Sequence, residues 1–148
     1  MKQYSEALQC FDKALVIDPQ YAIAWSNKGN TLQTLRQYSE ALQCFEKAIE
    51  IDLWYADAWY NKGAALHEME QYSEAVQCYD RALQINPQYL LAWYNMGVSL
   101  YMMEQYSEAA WCFDMALQID PQNEAVQYAL ELLKTQHTIG YYKMDFEY

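Results

Sequence analysis

From Ala41 to Ile49 the apolar residues Ala41, Cys44, Phe45, Ala48 and Ile49 fall three and four positions apart, which places them on one face of a helix. Trp25, Gly29 and Leu32 do the same in the segment before it. The spacing therefore predicts two short helices joined by a tight turn. Gly29 and Ala41 have little or no side chain, so the pair can approach closely, and Trp25 and Phe45 fill the space around the contact.

This unit recurs with a period of about 34 residues. Tyr-Ser-Glu-Ala begins at Tyr4, Tyr38, Tyr72 and Tyr106, and Ala-Trp returns at Trp25, Trp59 and Trp93. Asn27, Asn61 and Asn95 follow in phase, as do Gly29, Gly63 and Gly97, then Ala14, Ala48, Ala82 and Ala116, then Pro19, Pro87 and Pro121. A helix pair alone leaves one apolar face bare, so each unit must stack on its neighbours.

The residues Trp25, Gly29, Ala41, Phe45 and Ala48 resemble the tetratricopeptide repeat. Trp59, Gly63, Ala75, Tyr79, Ala82 and Pro87 repeat the resemblance, and so do Trp93, Gly97, Ala109, Phe113, Ala116 and Pro121. It implies an all-α fold, a right-handed α-solenoid of antiparallel helix pairs. Three departures stand out. Lys28, Lys62 and Met96 occupy a usual Leu position, Leu32, Leu66 and Leu100 a usual aromatic one, and Leu53 the inter-repeat Pro, which puts the geometry of that turn in doubt.

Full repeats are expected at 22–55, 56–89 and 90–123, within a domain of 1–137. Residues 1–21 read as the second helix of a partial repeat. Residues 124–137 read as a capping helix, with Gln127 and Glu131 where Trp and Gly would stand, and 138–148 as a mobile tail. A second helix without its first should bare an apolar edge at Leu8, Phe11 and Leu15. Either the chain is a fragment of a longer array, the preferred reading, or a partner or second copy covers that edge.

Cys10, Cys44, Cys78 and Cys112 share one repeat position. Stacked helices lie ~8–10 Å apart, beyond the ~7 Å reach of a disulfide. Reduced, half-buried thiols are expected, without a metal site. With 148 residues and a formal net charge of −11, the chain would repel phosphates and anionic lipids, so neither nucleic acid nor membrane is an expected partner. No apolar run reaches the ~18 residues of a membrane span, and Met1 to Cys10 do not read as a signal peptide, which favours the cytoplasm.

Enzyme chemistry finds no support. His67-Glu68 lacks a second His one turn on, no glycine-rich phosphate loop or Gly-x-Ser-x-Gly exists, and His137 stands apart from any carboxylate cluster. No cofactor is expected.

The resemblance implies that the first helix of each pair lines an inner, concave groove, and that the chain is an interaction module or adaptor for a protein or peptide partner. The ladder Asn27, Asn61 and Asn95 offers donors and acceptors to an extended backbone, or serves packing and solubility. Beside it the first repeat presents polar residues such as Asn30, the second Tyr60 and His67, and the third Leu91, Tyr94, Val98, Tyr101 and Met102. An apolar or aromatic anchor of the ligand is expected near Tyr94 and Tyr101, unless these residues only meet the capping helix or the tail. Some chaperone-binding members clamp a C-terminal carboxylate with Lys, Asn and Arg. Asn30 and Asn61 match that clamp, but Ser26, Leu91 and Asn95 replace its cations, so this mode is not expected.

Two features lie outside the groove. Residues 82–133 hold no Lys or Arg but six acids, which either steer a basic partner or form a solvated outer face. Trp54 stands in a turn where Gln20, Gln88 and Gln122 are its counterparts, either packed over Leu53, the preferred reading, or exposed as a contact point. The alternative function is self-assembly through the terminal helices, as a homo-oligomer, or service as the interaction arm of a larger enzyme or signalling protein.

Overall fold

The computed structural model describes the backbone of residues 2–144 and the side chains of residues 3–135. Within them the chain forms eight helices and no strand. These are α1 (Lys2–Ile17), α2 (Ala22–Thr34), α3 (Tyr38–Ile51), α4 (Ala56–Glu68), α5 (Tyr72–Ile85), α6 (Leu90–Met102), α7 (Tyr106–Ile119) and α8 (Glu124–Met144). The pairs α2/α3, α4/α5 and α6/α7 fall inside the three expected repeats.

Glycine sets the approach within each pair. A Cβ on Gly29 would lie 2.5 Å from Cε1 of Phe45, on Gly63 2.8 Å from Cε1 of Tyr79, and on Gly97 2.6 Å from Cε1 of Phe113. The ring occupies the space a side chain would need, and Ala41, Ala75 and Ala109 are fully buried beside it.

The turn inside each repeat is a left-handed helix cap. Arg36, Glu70 and Glu104 each have φ 60°, and none is glycine. Their N–H groups donate to Gln33, His67 and Tyr101, and the next N–H donates five residues back, to Leu32, Leu66 and Leu100. These bonds satisfy carbonyls the helix end would otherwise orphan.

Between repeats the chain turns on a side-chain carboxylate or carboxamide. Asp18, Asp52, Asn86 and Asp120 each accept from the N–H two residues on, at 2.9–3.1 Å. The tryptophans then clamp the turn. Trp25, Trp59 and Trp93 donate their indole N–H to the carbonyls of Pro19, Leu53 and Pro87 at 2.9–3.0 Å. Gln127 does the same to Pro121 at 2.7 Å, so the last helix keeps the bond without the ring. Leu53 therefore leaves the turn geometry intact. Trp54 is not buried over Leu53: it is 73 % exposed, and Leu53 beside it is exposed as well.

Two further expectations need correction. The helix expected to end at 137 continues to Met144. Leaving the repeat pattern is not leaving the helix, since no proline interrupts 138–144. Of the expected tail, 145–148 lie outside the described residues, as do the side chains of its aromatics. The N-terminal edge is only partly bare. Leu15 is buried and Leu8 half-buried against the cluster around Phe45, because α1 packs on α2 as later second helices pack on the next repeat. Phe11 is half-buried, whereas its counterparts Phe45, Tyr79 and Phe113 are buried.

The core is continuous from Leu66 to Leu133, whereas the first repeat holds smaller clusters around Phe45 and around Ala48 and Ala58. Helix α2 touches α4 and α4 touches α6, but no comparable contact joins α3 to α5 or α5 to α7. First helices thus lie closer together than second helices, and the stack bends with α2, α4 and α6 on its inner side.

Candidate functional site

The inner face of α2 and α4 holds a polar cleft of about 430 Å³, bounded by Asn30, Gln33 and Thr34 on one side and Tyr60, Asn61 and Glu68 on the other. Tyr38 donates to Glu68 across it at 3.4 Å. The three ladder asparagines are not equivalent. Asn27 is exposed and Asn61 half-buried, and among the described residues neither carboxamide is bonded within the chain. Asn95 instead donates Nδ2 to the Tyr60 hydroxyl at 2.9 Å, tying α6 to α4.

Tyr60 sits at an aromatic junction. Its ring lies 4.9 Å from Tyr89 and 5.9 Å from Tyr79. Burial raises its pKa, opposed by the bond from Asn95. Tyr89 donates to Asp57 at 2.8 Å, and burial followed by that bond raises its own pKa. His67 is half-buried too. Its Nδ1 lies 2.8 Å from the hydroxyl of Ser99, which is fully buried on α6, and its ring meets Tyr72 edge-on at 5.1 Å. Burial lowers the His67 pKa, opposed by Glu68. Tyr60, His67 and Asn95 thus join one repeat to the next, and of the three Tyr60 also lines the polar cleft.

At the far end the inner face becomes apolar. Tyr94, Val98 and Tyr101 of α6, Phe113 of α7, and Tyr128, Ala129 and Leu132 of α8 enclose a pocket of about 200 Å³. Tyr94 leans on Phe113 with ring centroids 5.9 Å apart, and Tyr101 meets Tyr106 at 5.5 Å. Leu91 and Met102 are exposed on the same helix, outside the pocket wall. Sequence reasoning missed Tyr128 and Leu132, although each stands 34 residues beyond Tyr94 and Val98. The last helix continues the inner face after it has lost Trp and Gly.

Reactive chemistry is sparse elsewhere. All four cysteines are free; Cys44, Cys78 and Cys112 are buried rather than half-buried, and Cys10 is exposed. Burial pushes the Cys78 thiol up to about 11 and Cys112 up to about 12, so both stay protonated at neutral pH. Among the described residues no three His, Cys, Asp or Glu side chains group to hold a metal ion, and no helix is long and apolar enough to cross a membrane.

A tetratricopeptide repeat model matches residues 22–52, 56–89 and 91–123, and a second repeat model matches 1–35. The chain belongs to the tetratricopeptide repeat family. The second match covers the N-terminal helix α1. Several solved structures share the fold over most of the chain. MamA gives a TM-score of 0.86 at 21% identity, over 91% of this chain and 79% of its own. YrrB, described as a TPR protein with an unusual peptide-binding site, gives 0.77 at 27% identity, over 99% and 72%. The first TPR of Spaghetti (RPAP3), bound to HSP90 peptide SRMEEVD, gives 0.78 at 21% identity, over 82% and 96%. No curated protein matches the chain.

Proposed function

We propose that this tetratricopeptide repeat protein is a scaffold whose inner groove holds an extended segment of a partner protein, and that it works by binding rather than catalysis. The ligand's backbone runs past Asn27, Asn30 and Asn61, and an apolar or aromatic side chain seats between Tyr94 and Tyr128. The observation that carries this reading is the pocket itself. A space of about 200 Å³ walled by three tyrosines, Phe113, Val98 and Leu132 fits one large side chain, and tyrosine walls bury area at little entropic cost. Peptide binding by YrrB and by RPAP3 on the same fold supports it as analogy.

The carboxylate clamp is disfavoured. Ser26 is buried, Leu91 is apolar, and Asn95 is spent on Tyr60, so no cation faces a terminal carboxylate from those positions. The test is capture of partners from lysate by wild type beside Asn61→Ala/Tyr94→Ala, with mass-spectrometric readout. A protein held by wild type and lost by the folded double variant supports the groove. Equal capture by both removes it as the working surface.

A further inference from the structure

On the side of α2 and of α4 away from the inner groove, a second cleft opens against the neighbouring second helices. In the first repeat it measures about 590 Å³ and is lined by Trp25, Lys28, Gln43 and Lys47 among others. In the second it measures about 530 Å³, with Trp59, Lys62, Gln77 and Arg81 at the same places. Both clefts carry their own cations. The Lys28 ammonium lies 5.6 Å from the Trp25 ring centre and 2.7 Å from Asp12 of the preceding helix. Lys62 pairs with Glu46 at 3.0 Å, and the Arg81 guanidinium lies 5.7 Å from the Trp59 ring centre.

The third repeat keeps the acid and the aromatic but has lost both cations. Met96 stands for Lys28 and Lys62, Met115 for Lys47 and Arg81, and Trp111 for Gln43 and Gln77. Asp80 occupies the place of Asp12 and Glu46; it accepts from Gln84 at 2.6 Å, and among the described residues no cation pairs with it. Trp93 is buried there and meets Trp111 in a T-shaped contact, with ring centroids 5.1 Å apart at 88°. Trp111 itself is 55 % exposed, on a stretch, residues 82–133, that contains no Lys or Arg.

We propose that the outer surface of the third repeat, at Trp111, docks a lysine- or arginine-bearing segment of a partner protein. The partner's cation supplies what the first two repeats supply from their own chain, a positive charge against an indole and near the carboxylate, with the exposed Trp111 taking the part that the buried Trp93 does not. Trp111 packs on Trp93, yet more than half of it stays exposed on a segment without a cation of its own, which leaves the indole open to one from a partner.

The test titrates the full chain with a tetra-arginine peptide, following the Trp111 indole N–H by NMR and affinity by calorimetry. Tetra-citrulline is the neutral control. Trp111→Gln restores the residue of the other repeats without changing charge, and Met96→Lys restores the internal cation. Each is expected to weaken binding about tenfold. Ala125→Lys, which adds the same charge on exposed α8, and Tyr94→Ala, in the inner pocket, are expected to stay within about twofold of wild type, since neither touches the cation–aromatic contact. Trp111→Gln binding as wild type does, Ala125→Lys matching Met96→Lys, or tetra-citrulline binding equally well would each overturn the proposal. Loss of binding in Tyr94→Ala would overturn it as well, by moving the peptide to the groove.

Discussion

Gly97 and Phe113 stand so close that a single added carbon does not fit: a Cβ on Gly97 would lie 2.6 Å from Cε1 and 2.9 Å from Cδ1 of the ring. In an open helix, glycine to alanine would gain about 1 kcal/mol from propensity. Here overpacking costs about 1–3 kcal/mol and the ring, buried at the centre of the repeat, has nowhere to turn. Gly97→Ala is therefore expected to destabilise the chain. Urea denaturation of the variant beside wild type checks the sign.

Glu104 has φ 60° at the end of α6 with no glycine to ease it. Left-handed backbone costs an ordinary residue about 1 kcal/mol more than glycine. Glu104→Gly is expected to raise stability by up to about 1 kcal/mol, less whatever entropy the unfolded glycine gains. A thermal melt showing a lower midpoint would refute it.

The glycine–ring contacts were legible because they depend on residue size at a fixed period. Gly29, Gly63 and Gly97 announce a close approach, and Phe45, Tyr79 and Phe113 are the nearest large residues in phase. The left-handed turns were not legible. Arg36, Glu70 and Glu104 carry no signal for positive φ, since a cost near 1 kcal/mol is overridden by the packing on either side. Trp54 misled for a similar reason: its turn is held by Asp52 and by the Trp59 clamp, so the side chain has no part in the turn. Tyr94, Val98 and Tyr101, placed on the inner face by the family resemblance, line one pocket. Tyr128 and Leu132 were missed because the lost Trp and Gly suggested that α8 was only a cap. The Asn95–Tyr60 bond joins side chains 35 residues apart, and their meeting depends on how one repeat rotates on the next.

His67 links α4 to α6 through Ser99, and its pKa is lowered, chiefly by burial. Its unfolded value lies near ~6.5. Between that value and the lower folded one the unfolded chain binds more protons, so stability falls as pH drops through the window and levels off below the folded value. Wild type is expected to lose more stability than His67→Gln between pH 7.5 and 5. Paired chemical denaturation at the two pH values measures it; parallel losses would leave His67 without a titrating role.

Tyr94 and Tyr128 face one pocket from two helices, and the groove reading requires that both contact the same ligand side chain. Removing one ring uncovers an anchor that the other still touches, so the two losses should not add. Each single change to alanine is expected to weaken a captured partner by at least about tenfold, as hot-spot tyrosines do. The double variant should lose less than the product of the two, because the pocket is already breached. Tyr128 is 66% exposed, so its truncation should barely move the melting temperature. Calorimetry on the four proteins closes the cycle. Additive losses would place the rings in separate contacts, and unchanged affinity at both would move the anchor out of this pocket, leaving Tyr94 a packing residue against Phe113.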